Sequence, residues 1–405
     1  MKSSCIFVVS LVLFAGGLFA QEGKEYPTDA MSVPPVLRPV PGYLQDSARK
    51  FQSAPSLTVS PQGRLWVAWH TGTHPSEGEE NCHVVASSGD GGESWSEPLF
   101  ATDMPGPLRT LDPGLWTDPN GKVWLFFAYL YGQWDGRGGI WVMSPVDPED
   151  EHSDWSAPRR ICHGFMKNKP LVTSDGRWLF PVEFMAGTPC NYSQGKYIAR
   201  DTLPKEVVFD LPELNNANVF ESLDQLHTVH YLGQANVPKE VRSCYEHMVV
   251  EKRDGTLWLL CRVAYGIGES FSRDGGKTWT ELVPSRIANP DSRFFIGRLA
   301  SGNLLLVKNG PVDTQTGREK ITAFVSKDDG QTWLGGLVLD PRNNVSYPDA
   351  VQGQDGTIYV VNDYSRYDAK EIVLHRFREE DVLAGSLVSQ GSRLGIIVNK
   401  AGSEE

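Results

Sequence analysis

Ser272-Arg-Asp-Gly-Gly-Lys-Thr-Trp279 decides the fold, because the same phrase returns as Ser88-Gly-Asp-Gly-Gly-Glu-Ser-Trp95 and as Ser326-Lys-Asp-Asp-Gly-Gln-Thr-Trp333. In each copy the Asp can hydrogen-bond the turn backbone, the Gly permits positive φ, and the Trp fills the space between neighbouring strands. Three copies mean three equivalent turns. One carboxylate per turn is a poor cage for a hard cation that takes six or more oxygens, so the phrase is read as structural.

A second pattern surrounds the first: a turn ending in Gly, followed at once by an apolar strand. It occurs as Pro61-Gln-Gly-Arg-Leu-Trp-Val, Asp118-Pro-Asn-Gly-Lys-Val-Trp-Leu, Ser174-Asp-Gly-Arg-Trp-Leu-Phe, Asp254-Gly-Thr-Leu-Trp-Leu, Ser301-Gly-Asn-Leu-Leu-Leu and Asp355-Gly-Thr-Ile-Tyr-Val. The turn glycines are spaced 58, 55, 79, 47 and 54 residues apart, which suits repeated four-stranded units. The expectation is an all-β, six-bladed β-propeller of four-stranded antiparallel blades spanning residues 46–405. The first blade should place strand A near Pro55–Val59, B near Leu65–Trp69 and C near His83–Ser87. The long third interval predicts an insertion around Asp201 to Arg242.

Composition bounds the function. Residues 1–20 read as a signal peptide cut after Ala20 and followed by an N-terminal extension, residues 21–45. Gln21 stands where a lipoprotein would need Cys, so the expected location is secreted or periplasmic. No later stretch is apolar for the length a membrane span needs. Cys82, Cys162, Cys190, Cys244 and Cys261 are odd in number and contain no CxxC pair, which favours buried small hydrophobes over a disulfide framework or a zinc site. A formal charge of -12 with no basic run disfavours nucleic acid. A neutral or weakly charged ligand stays open, and no metal, no cofactor and a monomer are expected.

Antiparallel connectivity places the chemistry. If strand A starts at one rim, B ends and C begins there, while the A–B turns and the Ser-to-Trp turns fall on the other. The first rim then gathers Glu246 and His247 at the start of A and Arg262 at the end of B in blade 4. It also gathers Arg318 before strand C of blade 5, with Tyr347, Asp349, Asp363 and Arg366 in blade 6. Asn168, Lys169, Asp135 and Arg137 join them as candidates for ligand contact rather than catalysis.

With these residues the chain resembles the sialidase (neuraminidase) superfamily, whose Asp-box turns match the repeated phrase, over most of its length. The resemblance implies Tyr347 as nucleophile, Glu246 as its base, and Arg262 and Arg318 as two of three arginines holding a substrate carboxylate. The proton donor would come from the loop around Gly78, from among Glu77, Glu79 and Glu80, with Glu80 first and Glu77 second. The chain departs from that pattern at Gln52-Ser-Ala-Pro55, where Ser53 replaces the first arginine and leaves two guanidinium groups for the carboxylate. The implied activity is retaining hydrolysis of a terminal acidic sugar. The alternatives are a glycosidase or lyase working through His247 with carboxylates, and a glycan-binding propeller without turnover.

Overall fold

The structure is a computed structural model that describes residues 32–402, apart from residues 76, 79–80, 105–107, 132–137 and 185–213. Six antiparallel sheets form the blades of a β-propeller, with strand A of each nearest the axis. Blade 4 shows the pattern, with A at Tyr245–Glu251, B at Leu257–Val263, C at Gly266–Ser272 and a short D at Val283–Pro284. Blades 5 and 6 repeat it, with Phe295–Arg298 and Val345–Gln352 as their A strands.

Two blades are embellished. Val36–Leu37 adds a fifth strand to the outer edge of blade 1. In blade 2 strand A is split into Leu108–Thr110 and Gly114–Thr117, both paired to Val123–Tyr131. Of the insertion expected around Asp201 to Arg242, residues 201–213 lie outside the described residues, while Ala217–Ser222 and His230–Ala235 are instead strands C and D of blade 3.

The middle strands are buried on both faces, which is why they read as apolar runs rather than as alternating ones. Each hydrophobic cluster joins neighbouring blades, as Leu115 and Leu125 of blade 2 pack with Trp66 and Ala68 of blade 1. Leu57 and Val67 of blade 1 pack in turn with Val361 and Leu374 of blade 6 and close the ring. Full burial of one such side chain stabilises by roughly 1.5–3 kcal/mol.

Register separates the two rims. In blade 4, Glu251 pairs with Leu257 and Leu257 with Ser272, so the A–B turn and the Asp box share one end. Tyr245 pairs with Arg262 and Val263 with Gly266 at the other end. A cavity of about 560 Å³ runs among the A strands, lined by Thr58, Trp116, Met248, Phe295 and Ala350. Glu246, Arg262 and Tyr347 do not line it.

The Asp boxes are wired alike. Ser88 Oγ donates to Asp90, Gly92 N donates to Ser88 Oγ, and Ser94 donates to Asp90 through both its N–H and its hydroxyl. Blade 3 carries a fourth such turn, Ser222-Leu-Asp-Gln-Leu-His-Thr-Val229, with the same bonds from Ser222, Leu226 and Thr228. There Leu226 takes the glycine position at φ 70°, and Val229 replaces the Trp. No helix of the described residues is long and apolar enough to cross a membrane. No group of three or more His, Cys, Asp or Glu among them is placed to hold a metal ion.

Candidate active site

Three A strands begin with the same bulge. Tyr245 pairs with Arg262 and Met248 with Leu260; Ser346 pairs with Asp363 and Asp349 with Val361; Ser53 pairs with His70 and Ser56 with Ala68. Each A strand carries one residue more than its partner there, and the first bulged residue has positive φ: Ala54 at 50°, Glu246 at 38° and Tyr347 at 56°. Such bulges re-aim side chains, and a non-glycine residue in this region is strained. Blades 4 and 6 use the bulge to present Glu246 and Tyr347. Blade 1 puts only the Ala54 methyl there.

The two presented side chains meet. Tyr347 Oη donates to Glu246 Oε1 at 2.8 Å, and Arg262 Nη1 donates to both Glu246 Oε2 and Tyr347 Oη at 2.7 Å. Lys167 Nζ adds a 3.2 Å bond to Glu246 Oε1. Burial alone would push the Glu246 carboxyl up, but the Arg262 and Lys167 cations outweigh it and hold the group well below the usual carboxylate range. Tyr347 goes the other way. Burial, aided by the Glu246 charge, raises its phenol against the pull of Arg262 and Arg318. At neutral pH the pair is a carboxylate that accepts a hydrogen bond from a neutral phenol.

Four guanidinium groups surround the Tyr347 ring. The Cζ atoms of Arg366, Arg293, Arg318 and Arg262 lie 4.1, 5.1, 5.4 and 5.9 Å from its centroid. Arg293 is 1% exposed and spends its donors on the carbonyls of Lys167, Pro55 and Tyr347. Arg262 Nε is held by Asp291, and Arg318 donates to the Asp291 carbonyl at 3.1 Å. Arg366 pairs with Asp363 at 3.0 Å, and its Nη1 stands 3.6 Å from Glu77. Glu77 also accepts from Arg109 at 3.3 Å. Arg366 thus reaches the same ring as Arg262 and Arg318.

Other expected residues are placed differently. Asn168 donates to the carbonyls of Glu246 and His247, which buttresses the bulge. Asp349 accepts from Ser56 Oγ, Leu57 N and Lys169, and Lys169 also donates to the Leu57 carbonyl. Asp349 and Lys169 thus tie blades 1, 3 and 6 together, and Asn168 ties blade 3 to blade 4. The buried His247 ring bonds the Asn218 carbonyl at 2.6 Å rather than Glu246 or Tyr347, and burial lowers it to about 4. The ring is therefore neutral at neutral pH, with Nε2 committed to that carbonyl. Glu80, Asp135 and Arg137 lie outside the described residues.

Sequence reasoning missed Lys167, Arg293 and Asp112. Asp112 is buried in the split A strand of blade 2, 3.9 Å from both His70 and Arg293, and burial raises its carboxyl. Lys167 and Arg293 lie a few residues before the A strands that begin at Leu171 and Phe295, close to the rim position that picked out their neighbours. That positional signal was present for both.

Comparison with known proteins follows this geometry. Residues 63–360 match the family model of the BNR repeat-like domain. A sialidase of Bacteroides fragilis (strain YCH46) is 26% identical over 338 residues, covering 72% of this chain and 56% of that protein. A sialidase of Micromonospora viridifaciens is 25% identical over 323 residues, covering 75% and 48%. The chain thus spans about half the length of the curated relatives it matches. Among solved structures, a Hadza microbial sialidase has a TM-score of 0.60 at 21% identity, covering 83% of this chain and 67% of the other. An intramolecular trans-sialidase from Ruminococcus gnavus, in complex with oseltamivir carboxylate, has a TM-score of 0.60 at 14% identity, covering 89% and 99%. At those identities the solved structures speak for the fold, and with the match over residues 63–360 the chain belongs to the BNR repeat-like domain family as a sialidase-like propeller.

Proposed function

We propose that this chain is a retaining exo-glycosidase that removes a terminal acidic sugar from a glycan. The observation that carries the reading is the closed triangle of Tyr347 Oη, Glu246 and Arg262 Nη1, with sides of 2.7–2.8 Å. In the first step Tyr347 Oη bonds to the anomeric carbon while its proton passes to Glu246. The glycosidic bond breaks, and the leaving oxygen takes a proton from the carboxyl of Glu77 or Glu80. In the second step water attacks the same carbon, giving its proton back to that carboxylate. Tyr347 leaves and recovers its proton from Glu246.

A neutral phenol suits a substrate whose anomeric carbon bears a carboxylate, because an anionic nucleophile would approach against like charge. Arg262 and Arg318 supply guanidinium groups for that carboxylate. The relatives named sialidases support the substrate class. Secretion through the leader at residues 1–20 belongs to the same proposal, since it would bring the enzyme to extracellular glycans.

The test is Tyr347→Phe, assayed against a panel of terminal glycosides that includes α-sialosides. Turnover should fall by at least about 10³-fold, while affinity for the active glycoside is retained, because only the attacking oxygen is lost. A Tyr347→Phe variant that keeps its rate overturns the mechanism.

A further inference from the structure

We infer that Arg366 is the third arm of the carboxylate clamp, delivered from the loop after strand B of blade 6 in place of an arginine that blade 1 lacks. The inference rests on the acidic-sugar reading above. It identifies which residue completes that site in this chain.

The backbone brings Arg366 to the gap. Gln52 N donates to the Arg366 carbonyl at 3.2 Å, so the blade 6 loop lies along blade 1 one residue from Ser53. Ser53 is buried, and its Oγ makes no hydrogen bond among the described residues. With Ser53 and Ala54 side by side, the bulge of blade 1 offers no cation. Asp363 links the two elements, because its Oδ2 accepts from Ala54 N at 3.0 Å and pairs with Arg366 Nη2 at the same distance. One carboxylate thus fixes the blade 1 bulge and aims the blade 6 guanidinium.

The donors of Arg366 are not exhausted. Nη2 is committed to Asp363 and to Ser346 Oγ at 3.1 Å. Nη1 stands 3.6 Å from Glu77, beyond hydrogen-bond length, and the buried Nε has no partner among the described residues. Its Cζ also lies nearer the Tyr347 ring than that of any other arginine there. Arg293 also has an unpartnered Nε, but both its terminal nitrogens are bonded to backbone carbonyls, whereas Arg366 Nη1 makes no hydrogen bond among the described residues.

Calorimetric titration with the 2,3-didehydro analogue of sialic acid and with its methyl ester tests this. The parent should bind the acid more tightly than the ester. Arg366→Ala should weaken the acid roughly ten- to hundredfold, the worth of a charge-assisted hydrogen bond, and leave the ester unchanged. A structural role would weaken both. Because the alanine leaves Asp363 unpaired, Arg366→Lys carries the test if it unfolds; keeping the charge but not the fork, it should lose part of the preference for the acid. If the parent prefers the acid and Arg318→Ala erodes that preference while both Arg366 variants keep it, this inference falls alone. If the parent does not distinguish acid from ester, the acidic-sugar reading falls and takes this one with it.

Discussion

Glu246→Gln separates the base from the nucleophile. The substitution keeps the volume of a side chain that is fully buried and removes the negative charge 2.8 Å from Tyr347 Oη and 2.7 Å from Arg262 Nη1. Two unit charges about 4 Å apart interact by roughly 4 kcal/mol at an effective dielectric of about 20. Burial raises the phenol first, with Glu246 adding to it and the Arg262 and Arg318 cations opposing. Without Glu246 the cations act unopposed by that neighbour, so Tyr347 should ionise more easily than in the parent.

The readout is the tyrosinate absorbance near 295 nm. Glu246→Gln is compared with the double variant Glu246→Gln/Tyr347→Phe, which subtracts the other tyrosines. At a fixed alkaline pH the ionised fraction of Tyr347 should exceed that in the parent by at least about tenfold, since even a third of the Coulomb figure is one decade. Turnover should drop by about 10²–10⁴-fold at neutral pH, the usual worth of a general base. It should recover in part as the pH rises, because ionised Tyr347 no longer needs a base, although it then approaches the substrate carboxylate against like charge. A phenol that titrates no lower than in the parent, or a variant with no alkaline recovery, refutes the coupling.

Two further outcomes follow from other parts of the molecule. Lys169→Met removes the buried partner of Asp349 and should cost about 3–5 kcal/mol of stability, read as a shift in the urea midpoint. A variant as stable as the parent that has lost glycoside affinity would return Lys169 to the binding site. The Asp boxes set an acid limb: hydrogen bonds from Thr332 hold Asp328 at about 2, and those from Ser94 and Ser88 outweigh burial to hold Asp90 at about 2. Folded-state values below the unfolded ones mean that this stability is present above about pH 4 and lost as the pH falls towards 2. Urea midpoints that stay constant down to pH 2 would contradict it.

Much of the architecture was legible because it is written in turns. The six glycine hairpins and three Asp boxes fix blade number, strand order and the division of rims, and these depend on local backbone conformation. The fourth Asp box escaped because its glycine and tryptophan positions hold Leu226 and Val229. The bonds that define the turn come from Ser222, Asp224 and Thr228, which remain. Strand limits were shorter than those found, with A of blade 1 running Phe51–Val59, because packing between blades extends pairing beyond the apolar run.

The site was legible only where chain position sets side-chain direction. The starts of A strands and ends of B strands gave Glu246, Arg262 and Tyr347, but the same rule gave Asn168, Lys169 and Asp349, whose polar groups turn inward to other strands. Position on a rim cannot distinguish a group facing the site from one that ties blades together. The bulge can: among these A strands, the first bulged residue is Glu246 or Tyr347 where chemistry is presented, and Ala54 where it is not. His247, Pro348 and Asp349 follow those residues and fall outside the presented position. This also accounts for Arg366. With blade 1 presenting a methyl group, any guanidinium on that side has to come from a neighbouring loop, and the blade 6 loop is the one bonded to Gln52.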